Sequence, residues 1–350
     1  MELNKRLTAF EKLGEFLAEH NFMQFEKMPE EHEIFEKLIL EVKVHNAWFT
    51  PNNIRIALKG IALSLEKHNL QTWIEPYRES LAGEGADKRI LVIMAGNIPM
   101  VGFQDFLHVL ISGNRFVGKV ASDDHLLIPF LAALLLQFEP GFADKIEFTN
   151  GQVKDMDAVI ATGSTNSSRY FDYYFGKYPH IIRKNRHSVA ILNGLEDVND
   201  FQSIGNDIFM YYGLGCRNVS KLFVPEGYTF DAFFEGIFNH SYVLESNKYT
   251  NNYEYNKTIY LLNSEKLLDN NFLLLREDSS LSSPIGVLFY EYYKNENDLK
   301  VRLAADAAEI QCIVSKAGLF PGSLPFGKSQ FPMLWDYADG IDTLKFLSSL

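Results

Sequence analysis

Cys216, one of two cysteines in the chain, lies in Gly213-Leu214-Gly215-Cys216-Arg217-Asn218, between an aromatic stretch and the apolar run Lys221-Leu222-Phe223-Val224-Pro225. Flanking glycines let the backbone turn tightly and leave the neighbouring side chain unshielded. A thiol placed there is open to a substrate, and Arg217 beside it favours the nucleophilic thiolate. A structural thiol fits the same residues, so the turn alone leaves both readings open. Cys312 differs, because Ile310-Gln311-Cys312-Ile313-Val314 is the apolar setting of a core cysteine.

Three more groups have types that bind or polarise. Gly96-Asn97-Ile98-Pro99 holds an asparagine amide in a turn fixed by the following proline. Gly113-Asn114-Arg115-Phe116-Val117-Gly118-Lys119 ends on a lysine at a strand terminus, where a cation suits a ribose hydroxyl or a phosphate. Thr162-Gly163-Ser164-Thr165 follows a strand and opens a helix, where free amides favour an anion or a cofactor. Each has a plain alternative: a common turn, a solvated lysine, a routine helix start. Arg183, Lys184, Arg186 and His187 form the densest cationic cluster. They could meet phosphates or form a solvated loop, and His187 could donate a proton. No histidine spacing matches a metal motif, and no metal is expected.

The elements that must position these groups change character along the chain. The first 80 residues read as helices, including 31–44 and a helix over 52–68 opened by Thr50 as N-cap and Pro51. From residue 89 short apolar strands alternate with helices: strands over 89–95, 115–120, 145–148 and 158–161, helices over 103–112 and 124–137. That rhythm predicts a doubly wound α/β domain, whose ligands bind beyond the carboxyl ends of the strands. Asn97, Lys119 and Gly163 fall there. A second α/β segment runs through 284–292 and a helix over 298–316, with 240–257 as an irregular surface excursion. The expected domains are 1–187, a cofactor-binding domain with a helical N-terminal segment, 188–330, a thiol domain, and 331–350, a tail.

Bulk properties narrow the class. A chain of 350 residues, 47% hydrophobic and 22% charged, has room for two domains. Two cysteines without paired spacing argue against a disulfide scaffold or a zinc site and fit a reducing compartment. Met1-Glu2-Leu3-Asn4-Lys5-Arg6 leads into an amphipathic pattern and not a signal peptide. The apolar run 126–138 is shorter than the roughly 20 residues a bilayer requires. A soluble, cytoplasmic protein is expected. The net charge of −12 disfavours nonspecific nucleic-acid binding. The 28 Phe and 17 Tyr could line an acyl tunnel, although a Phe-rich core accounts for them more simply.

The order of the motifs is more specific than any one of them. Asn-Xaa-Pro, Gly-Asn-…-Lys, Thr-Gly-Ser-Thr, Gly-Xaa-Cys before a strand, and Pro325-Phe326-Gly327 together resemble the aldehyde dehydrogenase superfamily. The wording at Ala95-Gly96-Asn97-Ile98-Pro99, Leu110-Ile111-Ser112-Gly113-Asn114 and Asp336-Tyr337-Ala338-Asp339-Gly340 is closer to the LuxC-type long-chain acyl-CoA reductases. The resemblance covers residues 90–350. It implies an aldehyde-dehydrogenase-like α/β fold, a doubly wound cofactor domain and a smaller α/β catalytic domain. By the same likeness Cys216 takes the acyl group from a thioester, and the Asn97 amide with the Cys216 backbone N–H forms the oxyanion hole. Lys119 contacts the adenosine ribose, and Gly163 and Ser164 form the turn that approaches the cofactor. NAD-preferring relatives carry a glutamate three residues after the lysine. That position is Ser122 here, which offers no repulsion to a 2′-phosphate and implies NADPH. The superfamily's water-activating glutamate aligns with Arg183, and the glutamate on the nicotinamide ribose with Ser283.

The expected activity is therefore reduction of an acyl-CoA, or another acyl thioester, to an aldehyde. An acyl-protein synthetase partner and a homo-oligomer are expected from the same resemblance. The competing expectations are a Cys216-dependent acyltransferase or thioesterase without reduction, and a non-catalytic scaffold that binds acyl-CoA.

Overall fold

The computed structural model describes residues 1–23, 28–83, 86–163 and 165–350. Ser164, expected at the cofactor turn, lies outside the described residues. The chain divides into two compact units, Met1–Lys184 with Pro332–Leu350, and Asn185–Phe331.

The first unit opens with four helices: α1 (Leu3–Phe22), α2 (Glu30–His45), α3 (Pro51–Ser64) and α4 (Lys67–Ile74). Thr50 caps α3 as expected, its hydroxyl accepting from the Asn53 N–H at 3.2 Å. The single helix expected over 52–68 is two, because the Asn69 side chain donates to the Leu63 carbonyl at 2.7 Å and holds the break.

An alternating series follows: β1 (Arg89–Ile93), α5 (Phe103–Ile111), β2 (Arg115–Lys119), α6 (Leu127–Phe138), β3 (Ile146–Phe148), β4 (Ala158–Thr162), α7 (Thr165–Phe175) and β5 (His180–Arg183). The strands form a parallel sheet in the order β3-β2-β1-β4-β5. Central position explains why β1 and β4 read as continuous apolar runs. Strand order reverses between β1 and β4, which opens a crevice beyond their carboxyl ends. On the helical side, Phe10 of α1 meets Phe103 and Phe106 of α5 and Phe142 edge-on, at ring distances of 6.0 to 6.5 Å. Burying each such ring stabilises the fold by roughly 1.5–3 kcal/mol.

The second unit contains β6 (His187–Ile191), α8 (Val198–Phe209), β7 (Val219–Pro225), α9 (Asp231–Gly236), α10 (Asn247–Leu262), β8 (Leu268–Asp269), β9 (Leu274–Glu277), β10 (Val287–Tyr293), α11 (Glu296–Ala305), β11 (Ile310–Ser315) and β12 (Leu324–Pro325). Its sheet runs β12-β11-β6-β7-β10-β9-β8, parallel except for the short β8. Two expectations change here. The excursion over 240–257 contains most of α10, capped by Ser246 and buried through Tyr249, Tyr253 and Tyr260. The helix expected over 298–316 stops at Ala305, and the β-branched run around Cys312 is the strand β11.

The last helix, α12 (Thr343–Ser348), returns to the first unit, so residues 332–350 are part of its core and not a separate tail. Leu344 and Leu347 are fully buried, Trp73 Nε1–H donates to the Tyr337 hydroxyl at 2.9 Å, and Tyr77 donates to Asp342 at 2.7 Å. Among the described residues, no helix is long and apolar enough to cross a membrane.

Candidate functional site

The Cys216 turn is built from the end of α8. Beyond Phe209, Tyr211 (φ 53°), Tyr212 (φ 58°) and Gly213 (φ 79°) are all left-handed, which reverses the chain within a few residues. The two tyrosines carry strain of about 1 kcal/mol or more each, so other contacts must hold them. Asn218 does so. Its carbonyl accepts from the Gly215 N–H at 2.8 Å, and its amide shares hydrogens among the carbonyls of Asp207, Ile208 and Met210 at 2.8 to 3.3 Å. Asp207, buried on α8, accepts from the Gly327 N–H (2.6 Å), the Ser329 N–H (3.0 Å) and the Ser329 hydroxyl (2.6 Å). Burial raises its pKa above the ordinary carboxylate range. Arg217 donates to the Ser329 carbonyl at 3.4 Å. These bonds leave Cys216 exposed at the amino end of β7.

Two residues of β6 matter here, of which Ser188 touches the turn. Ser188 donates to the Cys216 carbonyl at 2.9 Å, with Cys312 Sγ 3.0 Å from the same hydroxyl. His187, at the head of the strand, lines a cavity of about 310 Å³ with Ser279, Ser280, Leu281, Arg302 and Asp306. Burial lowers its pKa below the ordinary imidazole value, against the pull of Glu309. A ring kept neutral pairs poorly with a phosphate. Arg186 is half-buried just before it, and Ser283 is half-buried between β9 and β10.

In the first unit, four expected residues share the carboxyl edge of the sheet. Asn97 is exposed in the loop after β1, where the Asp124 carboxylate accepts from the Met100 N–H at 2.7 Å and fixes the turn. Burial pushes the Asp124 pKa up to about 6, the Met100 bond opposing. A Cβ on Gly96 would lie 2.6 Å from the Ala121 Cβ, so the loops after β1 and β2 touch. Lys119 is exposed at the end of β2, opposite Ile93. Ser122 follows it, its hydroxyl donating to the Asp123 carboxylate at 3.2 Å. Gly163 follows β4, where a Cβ would approach Phe171 to 2.9 Å and Ser167 to 3.0 Å, so only glycine lets α7 start this close to the strand.

Arg183 is the correction. It ends β5 and is buried, with Nη1 donating to the Asp105 carboxylate at 2.6 Å and Nη2 to the Thr343 hydroxyl at 3.0 Å. Its charge is met inside the first unit, so it is not presented to a phosphate.

The model of the acyl-CoA reductase (LuxC) family matches residues 1–235, two thirds of the chain. The chain belongs to the LuxC acyl-CoA reductase family. Membership makes it an oxidoreductase of the reductase and dehydrogenase type. No curated protein matches it. Solved aldehyde dehydrogenases share its fold. Aldehyde dehydrogenase 21 from Physcomitrella patens, in complex with succinate, aligns at TM-score 0.67 and 13% identity over 100% of this chain and 84% of its own. A mutant of aldehyde dehydrogenase C from Pseudomonas syringae, complexed with NAD+ and octanal, aligns at 0.63 and 12% over 90% and 73%. An NADP-dependent enzyme from E. coli aligns at 0.63 and 14% over the same shares.

In this LuxC-family chain the expected residues separate by unit. Asn97, Lys119, Ser122 and Gly163 share one edge of the first sheet, while Arg186, His187 and Cys216 belong to the second unit. Sequence reasoning gave no role to Asn218, Asp207, Asp124 or Ser188. Asn218 stood inside the quoted motif, and its place two residues past the cysteine was the only local signal.

Proposed function

We propose that the protein reduces an acyl thioester, acyl-CoA in the first instance, to an aldehyde through an acyl-Cys216 intermediate with NADPH as the hydride donor. The observation that carries this reading is an exposed thiol on a rigidly clamped turn, in a chain of the acyl-CoA reductase family. The Cys216 thiolate attacks the thioester carbonyl carbon, and the CoA thiolate leaves and takes up a proton. Exchange of one thiolate for another at an acyl carbon needs no strong base. The Cys216 N–H would donate to the oxyanion, and the family resemblance makes the Asn97 amide a further donor; one such donor is typically worth about 3–4 kcal/mol of the barrier. When bound, the nicotinamide supplies the hydride that turns the acyl group into a thiohemiacetal, which releases aldehyde and restores the Cys216 thiolate. The stretch 181–187, where the superfamily's water-activating glutamate would align, carries no carboxylate, and that supports reduction over hydrolysis.

The first unit fits a dinucleotide. Its crevice lies at the strand-order reversal, with Gly163 close-packed at the helix start and Lys119 exposed at the edge. Ser122, uncharged, supports NADPH. A second reading rests on Asp123, whose carboxylate holds the Ser122 hydroxyl and would take the hydroxyls of an unphosphorylated ribose.

Intact mass after mixing with long-chain acyl-CoA, then NADPH or NADH, alongside Cys216→Ala, tests both. We expect an acyl adduct on the wild type alone, discharged by NADPH with aldehyde formed. Faster discharge and tighter binding with NADH would assign the role to Asp123. An adduct that ignores both nucleotides would make the protein a transferase. No adduct at any chain length would overturn the reading.

A further inference from the structure

Ser188, the second residue of β6, has one hydroxyl hydrogen and two neighbours for it. Its Oγ lies 2.9 Å from the Cys216 carbonyl oxygen and 3.0 Å from Cys312 Sγ. A carbonyl only accepts, so Ser188 donates to it. The second contact then requires the Cys312 S–H to donate to Ser188 Oγ. The direction of the chain is fixed from one end to the other.

The sheet is built irregularly at this one residue. β11 pairs Ile310 with His187 but Cys312 with Ser188, which leaves Gln311 as an extra residue on one side. β7 pairs Val219 with Ser188 but Lys221 with Val189, which leaves Ser220 extra on the other. Extra residues of this kind re-aim the side chains around them. The two irregularities flank Ser188 from both neighbouring strands, and Ser188 itself is fully buried.

We propose that Cys312 and Ser188 are positioning residues for Cys216: a neutral relay from Cys312 Sγ–H through Ser188 Oγ–H to the Cys216 carbonyl holds the peptide that follows the reactive thiol. The inference rests on Cys216 as acyl acceptor and deepens that reading. Burial pushes the Cys312 thiol up, and a thiol that keeps its proton remains a donor. The two cysteines therefore have opposite duties. Cys216 must ionise to react, and Cys312 must not.

The test uses the full chain carrying Ser188→Ala, Cys312→Ala or Cys312→Ser. Two rates are read: site-resolved iodoacetamide alkylation of Cys216 against pH, and single-turnover acylation by long-chain acyl-CoA. Thermal melting accompanies both. We expect Ser188→Ala and Cys312→Ala to slow both rates by roughly three- to tenfold, the worth of one hydrogen bond, at an unchanged half-saturating thioester concentration. Cys312→Ser keeps a donor and should recover most of the loss. A thiol that only fills space would shift melting and leave alkylation alone. Wild-type alkylation in Cys312→Ala, or no recovery in Cys312→Ser, would overturn the relay. If the wild type alkylates but is never acylated, the acyl-acceptor reading fails, and the ranking of alkylation rates still supports or overturns the relay.

Discussion

Asp105 and Arg183 form a buried ion pair at 2.6 Å, on α5 and at the end of β5, with Thr343 as a further acceptor for the guanidinium. A buried pair adds little over a well-packed apolar pair, because desolvation offsets most of the attraction. Removing one partner is a different matter, since the other charge stays behind without compensation. Asp105→Ala should lower stability by about 3–5 kcal/mol, read from urea unfolding, and Asp105→Ala with Arg183→Met should recover most of it. Equal losses in the single and double variants would mean that packing, not charge, dominates there. The same pair explains the one functional assignment that moved. Arg183 stands in a dense cationic stretch, and no local pattern tells which of four neighbouring cations turns inward to a carboxylate 78 positions away.

Helices α1 and α2 meet through two histidines. His20 and His32 face each other Nδ1 to Nδ1 at 3.2 Å, and His20 Nε2 lies 3.3 Å from Glu36, which Arg55 of α3 holds from its other oxygen at 2.6 Å. One ring must donate and the other accept, so the contact needs a neutral partner. Burial is the largest reason the His20 pKa falls from 6.5 to about 4, Glu36 opposing and His32 and Arg55 adding to the fall. The folded chain therefore keeps His20 neutral in a range where the unfolded chain protonates it. Its contribution to stability is full above pH 6.5, declines as pH falls towards about 4, and is flat below that. Its share of the decline should reach about 3 kcal/mol at most, and His20→Phe should lessen the slope of urea midpoints across this window by that share, the buried His108 supplying a slope of its own. A variant with the same pH slope as the wild type would remove His20 as its source. At this scale the sequence was legible wherever the signal was local. Thr50-Pro51 announced α3, and apolar runs announced the inner strands. α10 was missed because its buried face is Tyr249, Tyr253 and Tyr260 set among asparagines, which reads as polar. β11 was absorbed into a helix because Asp306-Ala307-Ala308-Glu309 carries no glycine or proline to mark the turn.

At the scale of the molecule, the second unit is an insertion: the chain leaves the first unit at Lys184 and returns at Pro332. The order of motifs revealed the fold, but what holds the Cys216 turn in place was not legible. Asp207 reaches Gly327 and Ser329 across 120 and 122 positions, and Ser188 reaches Cys312 across 124, separations at which a single sequence carries no pairing signal. Every one of those contacts nevertheless lies within Asn185–Phe331. The fragment 185–331 should therefore fold alone, with the turn intact and Cys216 alkylated at close to the full-length rate. Its acylation by acyl-CoA should be slower by roughly 10²–10³, because Asn97, the proposed oxyanion donor, is absent from the fragment. Any adduct it forms should resist NADPH, since the proposed cofactor residues Lys119 and Gly163 are missing as well. Circular dichroism and intact mass decide the matter. An unfolded fragment would show that the turn depends on the first unit. A folded fragment that acylates at the full-length rate would remove Asn97 from the oxyanion site and leave the second unit to do the acyl chemistry by itself.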